Sequence, residues 1–138
     1  MYGNPDFEAE GEDLKQGHFV EPMVIENIDT DSASFHEEFF GPVFNLYKAA
    51  DQREAIKLAN KSDYGLCGAI FGKDKDQLRN ASTKLRVGSI FLNDAAGSFS
   101  DLPFGGVKGS GIGRECYQDG LLEMANRKPV VSADPLFE

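Results

Sequence analysis

Fifteen glycines, two cysteines and two histidines carry most of what this 138-residue chain offers to chemistry. Gly97, Gly105, Gly106, Gly109, Gly111 and Gly113 lie around Phe99 and Phe104 in a stretch from Asp94 to Gly113 without helix or strand pattern. A segment of about twenty residues without secondary structure is longer than compact domains carry without functional use. Its glycines signal close backbone approach to something. Phosphate is the first candidate, and it fails on spacing. From Gly109-Ser110-Gly111 the third glycine of G-x-G-x-x-G falls on Arg114, and from Gly111-Ile112-Gly113 it falls on Cys116. A P-loop is excluded because Lys108 follows Val107 and precedes Gly109.

Metal and thiol chemistry fare no better. His36-Glu37-Glu38 begins as H-E-x-x-H does, but position 40 is Phe, His18 is the other histidine, and no C-x-x-C occurs. Cys67 lies in the apolar run Leu66 to Phe71 and reads as a small buried hydrophobe. Cys116 follows Arg114-Glu115, where partial exposure is expected, but no histidine near it in sequence would activate it.

The elements that would hold any site alternate. Residues 1–18 are polar and Gly-rich and read as a flexible segment. Phe19 to Ile28 is β-rich, with Pro22 marking an edge or split strand. A helical turn is expected over Ser32 to Glu38 and a strand over Val43 to Tyr47. Asp51 is a good N-cap for a helix through Asn60, with Ala55, Ile56 and Ala59 on its apolar stripe. Leu66 to Phe71 reads as a buried parallel strand. Asp74 caps a second helix in which Leu78, Ala81 and Leu85 repeat, Gly88 ends it, and Ser89 to Leu92 is the next strand. After the Gly-rich loop come a helix over Tyr117 to Asn126 and a strand over Lys128 to Val131. Strands alternating with helices predict an α/β fold with a partly parallel sheet on which both central helices pack.

Bulk properties narrow the partners. Fourteen basic against 23 acidic residues leave a net charge of −9, which disfavours nucleic acid, whose binders need a basic face. No apolar stretch approaches the roughly 18 residues of a membrane span. The start lacks the basic and apolar regions of a signal peptide. Two cysteines fit a reducing compartment, and the expected localisation is cytoplasmic.

Four phrases in fixed order remain. They are Glu37-Glu38-Phe39-Phe40-Gly41-Pro42-Val43, Asn60-Lys61-Ser62-Asp63-Tyr64-Gly65-Leu66, Gly88-Ser89-Ile90-Phe91-Leu92-Asn93 and Pro103-Phe104-Gly105-Gly106-Val107-Lys108-Gly109-Ser110-Gly111-Ile112-Gly113-Arg114-Glu115. Together they resemble the C-terminal part of the aldehyde dehydrogenase superfamily, from about Gly17 to Val131, and most of all its succinate-semialdehyde branch. Any one phrase is weak; the set in order is specific.

The resemblance implies roles. Glu38 matches the carboxylate that binds the nicotinamide-ribose hydroxyls of NAD or NADP, and Phe40 the aromatic near the nicotinamide ring. Without the resemblance, Glu38 would read as a solvated charge and Phe40 as core. Asn93 matches an asparagine supporting the active-site region, though alone it reads as a turn residue. Asp94, Ala96, Ser98 and Phe104 match the lining of the aldehyde entrance, whose small polar first half disfavours a bulky apolar aldehyde. Ser110 matches a serine that helps hold a substrate carboxylate; capping a helix turn is the alternative. Glu115 matches a buried glutamate proposed to assist proton movement, with a structural partnership to Arg114, Lys108 or a backbone amide as the alternative.

The nucleophilic cysteine and the general-base glutamate of the family lie upstream of the segment this chain matches, so no catalytic residue is expected in it. The whole enzyme would form a thiohemiacetal, pass hydride to NAD(P) and hydrolyse the thioester. On this reading residues 19–126 belong to the catalytic domain and residues 127–138 form an oligomerisation strand and tail. The expected partners are a small-molecule aldehyde and further copies in a homo-oligomer. The expected substrate is succinate semialdehyde or a similar small polar aldehyde, with betaine aldehyde or a simple alkanal as alternatives. A non-catalytic remnant or oligomerisation module is the reading from a different class.

Overall fold

The computed structural model describes residues 2–8 and 10–133. In chain order these form β1 (Met23–Glu26), α1 (Ala33–His36), β2 (Val43–Leu46), α2 (Gln52–Lys61), β3 (Cys67–Ile70), α3 (Lys75–Ser82), β4 (Ser89–Leu92), a 3-10 turn (Lys108–Ser110) and α4 (Tyr117–Glu123). The chain divides into two compact units, Met1–Asp63 and Tyr64–Glu138. The fold is α/β with parallel strand pairs, one pair in each unit.

In the first unit β1 and β2 run parallel, with Met23 opposite Val43 and Glu26 opposite Leu46. β1 starts one residue after Pro22, which has no N–H for a ladder, and the Met23 N–H donates to the Pro42 carbonyl at 2.9 Å. The N-terminal segment does not run wholly free. Tyr2 and Val24 exchange N–H···O bonds of 2.8 and 2.9 Å in an antiparallel bridge beside β1. α2 begins where the sequence places it. The Asp51 carboxylate accepts the Glu54 N–H at 2.8 Å, and Glu54 reaches back to the Ala50 N–H at 2.5 Å, a reciprocal cap close to the capping box.

In the second unit β3 and β4 are parallel, with Cys67 opposite Ser89 and Ile70 opposite Leu92. α3 connects them and packs on both. Asp74 caps α3 by accepting the Asp76 and Gln77 N–H groups at 2.9 and 3.0 Å. Leu78 and Ala81, 7% and 2% exposed, are the buried hydrophobic side chains among the described residues.

Three expectations need correction. α2 does not pack on β1 and β2 as α3 packs on its strands, and on its stripe Ile56 is half-buried while Ala55 and Ala59 are exposed. Cys67 is half-buried rather than buried, since its sheet has only two strands. Residues 128–131 are not paired with another described strand; a strand that pairs across subunits has no neighbour in the single chain. α4 ends at Glu123, three residues short of Asn126. Residues 134–138 of the expected tail lie outside the described residues. No described helix is long and apolar enough to cross a membrane.

What ties α2 to the β1–α1 connection is ionic. Lys61, in its last turn, donates to the Asp31 carboxylate and the Thr30 hydroxyl, both at 2.6 Å, where a cation also suits the helix C-terminus. His36 Nδ1 lies 2.9 Å from Asp63. The hydrogen bond from Lys61, and then its charge, hold the Asp31 carboxyl below its ordinary 3.8. A depressed carboxylate contributes its stabilisation fully above the ordinary value and loses it as pH falls through the depressed one. Lys61→Met should therefore return Asp31 to titration near 3.8; carboxyl-carbon NMR titration reads this, and an unmoved midpoint would disprove the tie.

Candidate functional site

The first candidate group sits in the turn between α1 and β2. α1 ends as the Glu37 N–H donates to the Ala33 carbonyl at 3.1 Å. The chain then tightens through Gly41 N–H to Phe39 O at 2.9 Å and Val43 N–H to Gly41 O at 2.8 Å. Glu38 is exposed, and its carboxylate has no hydrogen-bond partner among the described residues. Phe40 is 95% exposed, so it is not the core Phe that sequence alone would suggest.

The second group is the Gly-rich loop, which belongs to the other unit and closes on its own unit's backbone. Val107 N–H donates to the Gly65 carbonyl at 3.0 Å, and Gly65 N–H donates to Ser110 Oγ at 3.0 Å. The Lys108 ammonium reaches the Tyr64 carbonyl at 3.3 Å. The Arg114 guanidinium bonds the Gly106 and Gly113 carbonyls at 2.8 and 2.7 Å. Phe104 and Glu115 exchange backbone hydrogen bonds of 2.9 and 2.7 Å. These contacts require glycine: a Cβ on Gly88 would stand 1.7 Å from the Gly105 oxygen, and one on Gly106 would stand 2.4 Å from Ser110 Cβ.

Ser110 thus makes a backbone clamp and caps no helix. Its oxygen is engaged by Gly65, and its O–H remains a donor. Asn93 closes β4 with a two-pronged bond: Gly72 N–H donates to its Oδ1 at 2.8 Å, and its Nδ2 donates to the Gly72 carbonyl at 2.9 Å. Its φ of 55° is left-handed, a conformation asparagine tolerates better than most residues. The amide extends the β3–β4 ladder by one rung and fixes where the loop departs.

Beyond Asn93, Asp94 accepts the Ala95 N–H at 2.8 Å, and Asp94, Ala96 and Ser98 are all exposed. Ser98 Oγ lies 3.9 Å from Cys116 Sγ. Phe104 alone of the four expected entrance residues lines a cavity of about 230 Å³, with Ile90, Phe91, Phe99, Leu102 and Pro103. The Phe91 and Phe99 rings are 6.2 Å apart. Composition of the loop's first half missed this wall, which its second half and β4 build. The signal available was Phe91 and Phe104 flanking a run that also holds Phe99. Glu115 keeps its backbone bridge but has an exposed side chain, unlike the buried glutamate of the resemblance. Cys116 and Tyr117, with φ of 62° and 50°, are consecutive left-handed residues at the start of α4, a strained pair that turns the chain after the bridge.

The aldehyde dehydrogenase family matches residues 4–130. A succinate-semialdehyde dehydrogenase [NADP(+)] of Deinococcus radiodurans is 46% identical over 114 residues, 83% of this chain and 24% of that protein. A chloroplastic betaine aldehyde dehydrogenase of Atriplex hortensis is 40% identical over 88% of this chain and 24% of its own length. The betaine aldehyde dehydrogenase of Staphylococcus aureus, solved in complex with NAD+, superposes with a TM-score of 0.77 at 44% identity, over 84% of this chain and 23% of that one. The chain spans about a quarter of the length of the curated relatives it matches. It belongs to the aldehyde dehydrogenase family.

Proposed function

We propose that this chain is the C-terminal part of an NAD(P)-dependent aldehyde dehydrogenase, contributing the carboxylate for the nicotinamide ribose and one wall of the aldehyde entrance, with succinate semialdehyde as substrate. The observation that carries this is Glu38, an exposed carboxylate without a partner among the described residues, in the phrase Glu37 to Pro42. Two acceptor oxygens fit two ribose hydroxyls with charge-assisted strength. Phe40, exposed two residues on, offers an aromatic face to the same half of the dinucleotide. The cofactor, when bound, supplies the hydride acceptor.

Toward the substrate, the Ser110 O–H has one hydrogen to donate to a carboxylate oxygen while its own oxygen holds Gly65. That division of labour lets one residue fix the loop and orient an acidic aldehyde. Asp94, Ala96, Ser98 and Phe104 remain the proposed entrance lining, and Glu115 a proton relay. Neither Cys67 nor Cys116 has a histidine partner among the described residues, so the thiol that forms the thiohemiacetal is proposed to come from outside this chain, and the homo-oligomer and cytoplasmic location are proposals for the whole enzyme. A betaine aldehyde substrate is the second reading. The aromatic wall of Phe91, Phe99 and Phe104 suits a quaternary ammonium, and betaine aldehyde dehydrogenases are among the relatives.

The assays use a chimera in which the 114 residues of this chain that match the Deinococcus radiodurans enzyme replace its own. Glu38→Gln should raise the KM for NAD(P) about tenfold and slow turnover, the loss of one charge-assisted interaction; unchanged kinetics would remove Glu38 from the site. Ser110→Ala should raise the KM for succinate semialdehyde about tenfold and leave that for betaine aldehyde unchanged. An equal loss on both aldehydes would leave Ser110 only its clamp. The 138-residue chain by itself should bind NAD or NADP no tighter than roughly millimolar, since two contacts to half a dinucleotide barely offset association entropy. Micromolar binding by titration calorimetry would contradict the reading.

A further inference from the structure

Glu38 stands two residues after His36, the last residue of α1. Two residues reach about 7 Å at most, so any shift of α1 is passed on to Glu38. By itself α1 is weak. It is a four-residue turn whose N-cap Ser32 makes no side-chain cap bond, and none of its residues is buried; so short a helix is marginal in water. The side chains that hold it come from the C-terminal end of α2. Lys61 donates to Thr30 and Asp31 just before α1, and its ammonium stands 5.9 Å from the centre of the Phe35 ring within α1, inside cation–π range. The Tyr47 ring meets the same Phe35 edge-on, with centroids 5.6 Å apart. Asp63 lies 2.9 Å from His36 Nδ1 at the other end of α1. An ionised carboxylate only accepts, so Nδ1 carries the hydrogen.

We propose that Lys61 and Asp63 are positioning residues for Glu38. They hold α1 at both ends, and thereby hold the Glu38 carboxylate where the nicotinamide ribose of NAD(P) meets it. The proposal rests on the ribose reading of Glu38 given above and adds the residues that act through it. Solvent limits the size of the effect. The Lys61 and Asp31 side chains are 38% and 83% exposed, and those of His36 and Asp63 36% and 68%. Such exposed pairs shift an equilibrium about twofold to fivefold each, so the two together reach about tenfold.

In the chimera, Lys61→Met with Asp63→Ala should raise the KM for NADP about tenfold. Inhibition by adenosine 2′,5′-bisphosphate, which carries only the adenine half of that cofactor, should be unchanged. In a Glu38→Gln background the same pair should alter the KM less than twofold, because no carboxylate remains to be placed. In the 138-residue chain, backbone order parameters from Glu37 to Gly41 should fall from about 0.85 to below about 0.6 in the pair variant. If the pair does not fold, each single change carries the same test with a twofold to fivefold rise expected. Unchanged order parameters would overturn the proposal whatever Glu38 binds. So would a KM loss that adds to that of Glu38→Gln, or an equal weakening of the adenine-half inhibitor, either of which marks general loosening. Fallen order parameters beside a silent Glu38→Gln would instead overturn the ribose reading and leave the hold on the turn standing.

Discussion

The second unit depends on one close approach, that of the Gly88 backbone to Gly105. A methyl group on Gly88 would stand 1.7 Å from the Gly105 oxygen, far inside any contact that side chains adopt. The Gly88 N–H is shared between the Gly65 and Leu66 carbonyls, both at 3.1 Å, which draws the start of β4 against the residues before β3. Gly65 in turn accepts from Val107 and donates to Ser110. Three segments distant in sequence therefore meet backbone to backbone, and no side chain fits between them. A long loop that would otherwise carry unpaired amides satisfies them here, as buried or half-buried backbone must.

With that junction fixed, the exposed arc from Asp94 to Pro103 hangs between two anchors. Asn93 holds one end through Gly72, and the Phe104–Glu115 bridge holds the other. Between them Ser100 accepts the Tyr117 N–H at 3.2 Å and the Phe99 ring lies 6.2 Å from that of Phe91, so the arc is held along its length while Asp94, Ala96 and Ser98 stay exposed. Its inner face, Phe99 with Phe91 and Phe104, is apolar; its outer residues Asp94, Ala96 and Ser98 are exposed.

Local signals were legible in the sequence because local physics decides them. Asp51 and Asp74 cap their helices as a short carboxylate before an apolar stripe requires, and β4 spans Ser89 to Leu92 as read. The Gly-rich stretch announced close backbone approach, but not that its partner is the chain's own Gly65 and Gly88. That depends on contacts between residues far apart in sequence, such as Gly88 and Gly105, for which one sequence has no period. Ser110 illustrates the same gap at the site. Its clamp on Gly65 spans 45 residues, and nothing adjacent to it indicates that partner. The α2 stripe went wrong for the opposite reason. Its pattern states what it can bury, while α2 does not pack on β1 and β2 as α3 packs on its strands.

The candidate residues consequently fall into two kinds, and the division is physical. Ser110 and Asn93 have their polar atoms engaged by backbone within the chain, so their first task is to hold geometry and any contact with a ligand must use what remains of their valence. Glu38, Phe40 and Ala96 lie exposed, without a polar contact among the described residues, and the carboxylate of exposed Asp94 accepts its neighbour Ala95 N–H. A free carboxylate and a bare phenyl ring two residues apart gain nothing for the fold: the ring costs hydration, and the carboxylate offsets no buried donor. A core-building sequence would place neither there. The proposed nicotinamide-ribose site would use both, the turn's tight backbone bonds supplying rigidity and the exposed groups supplying recognition.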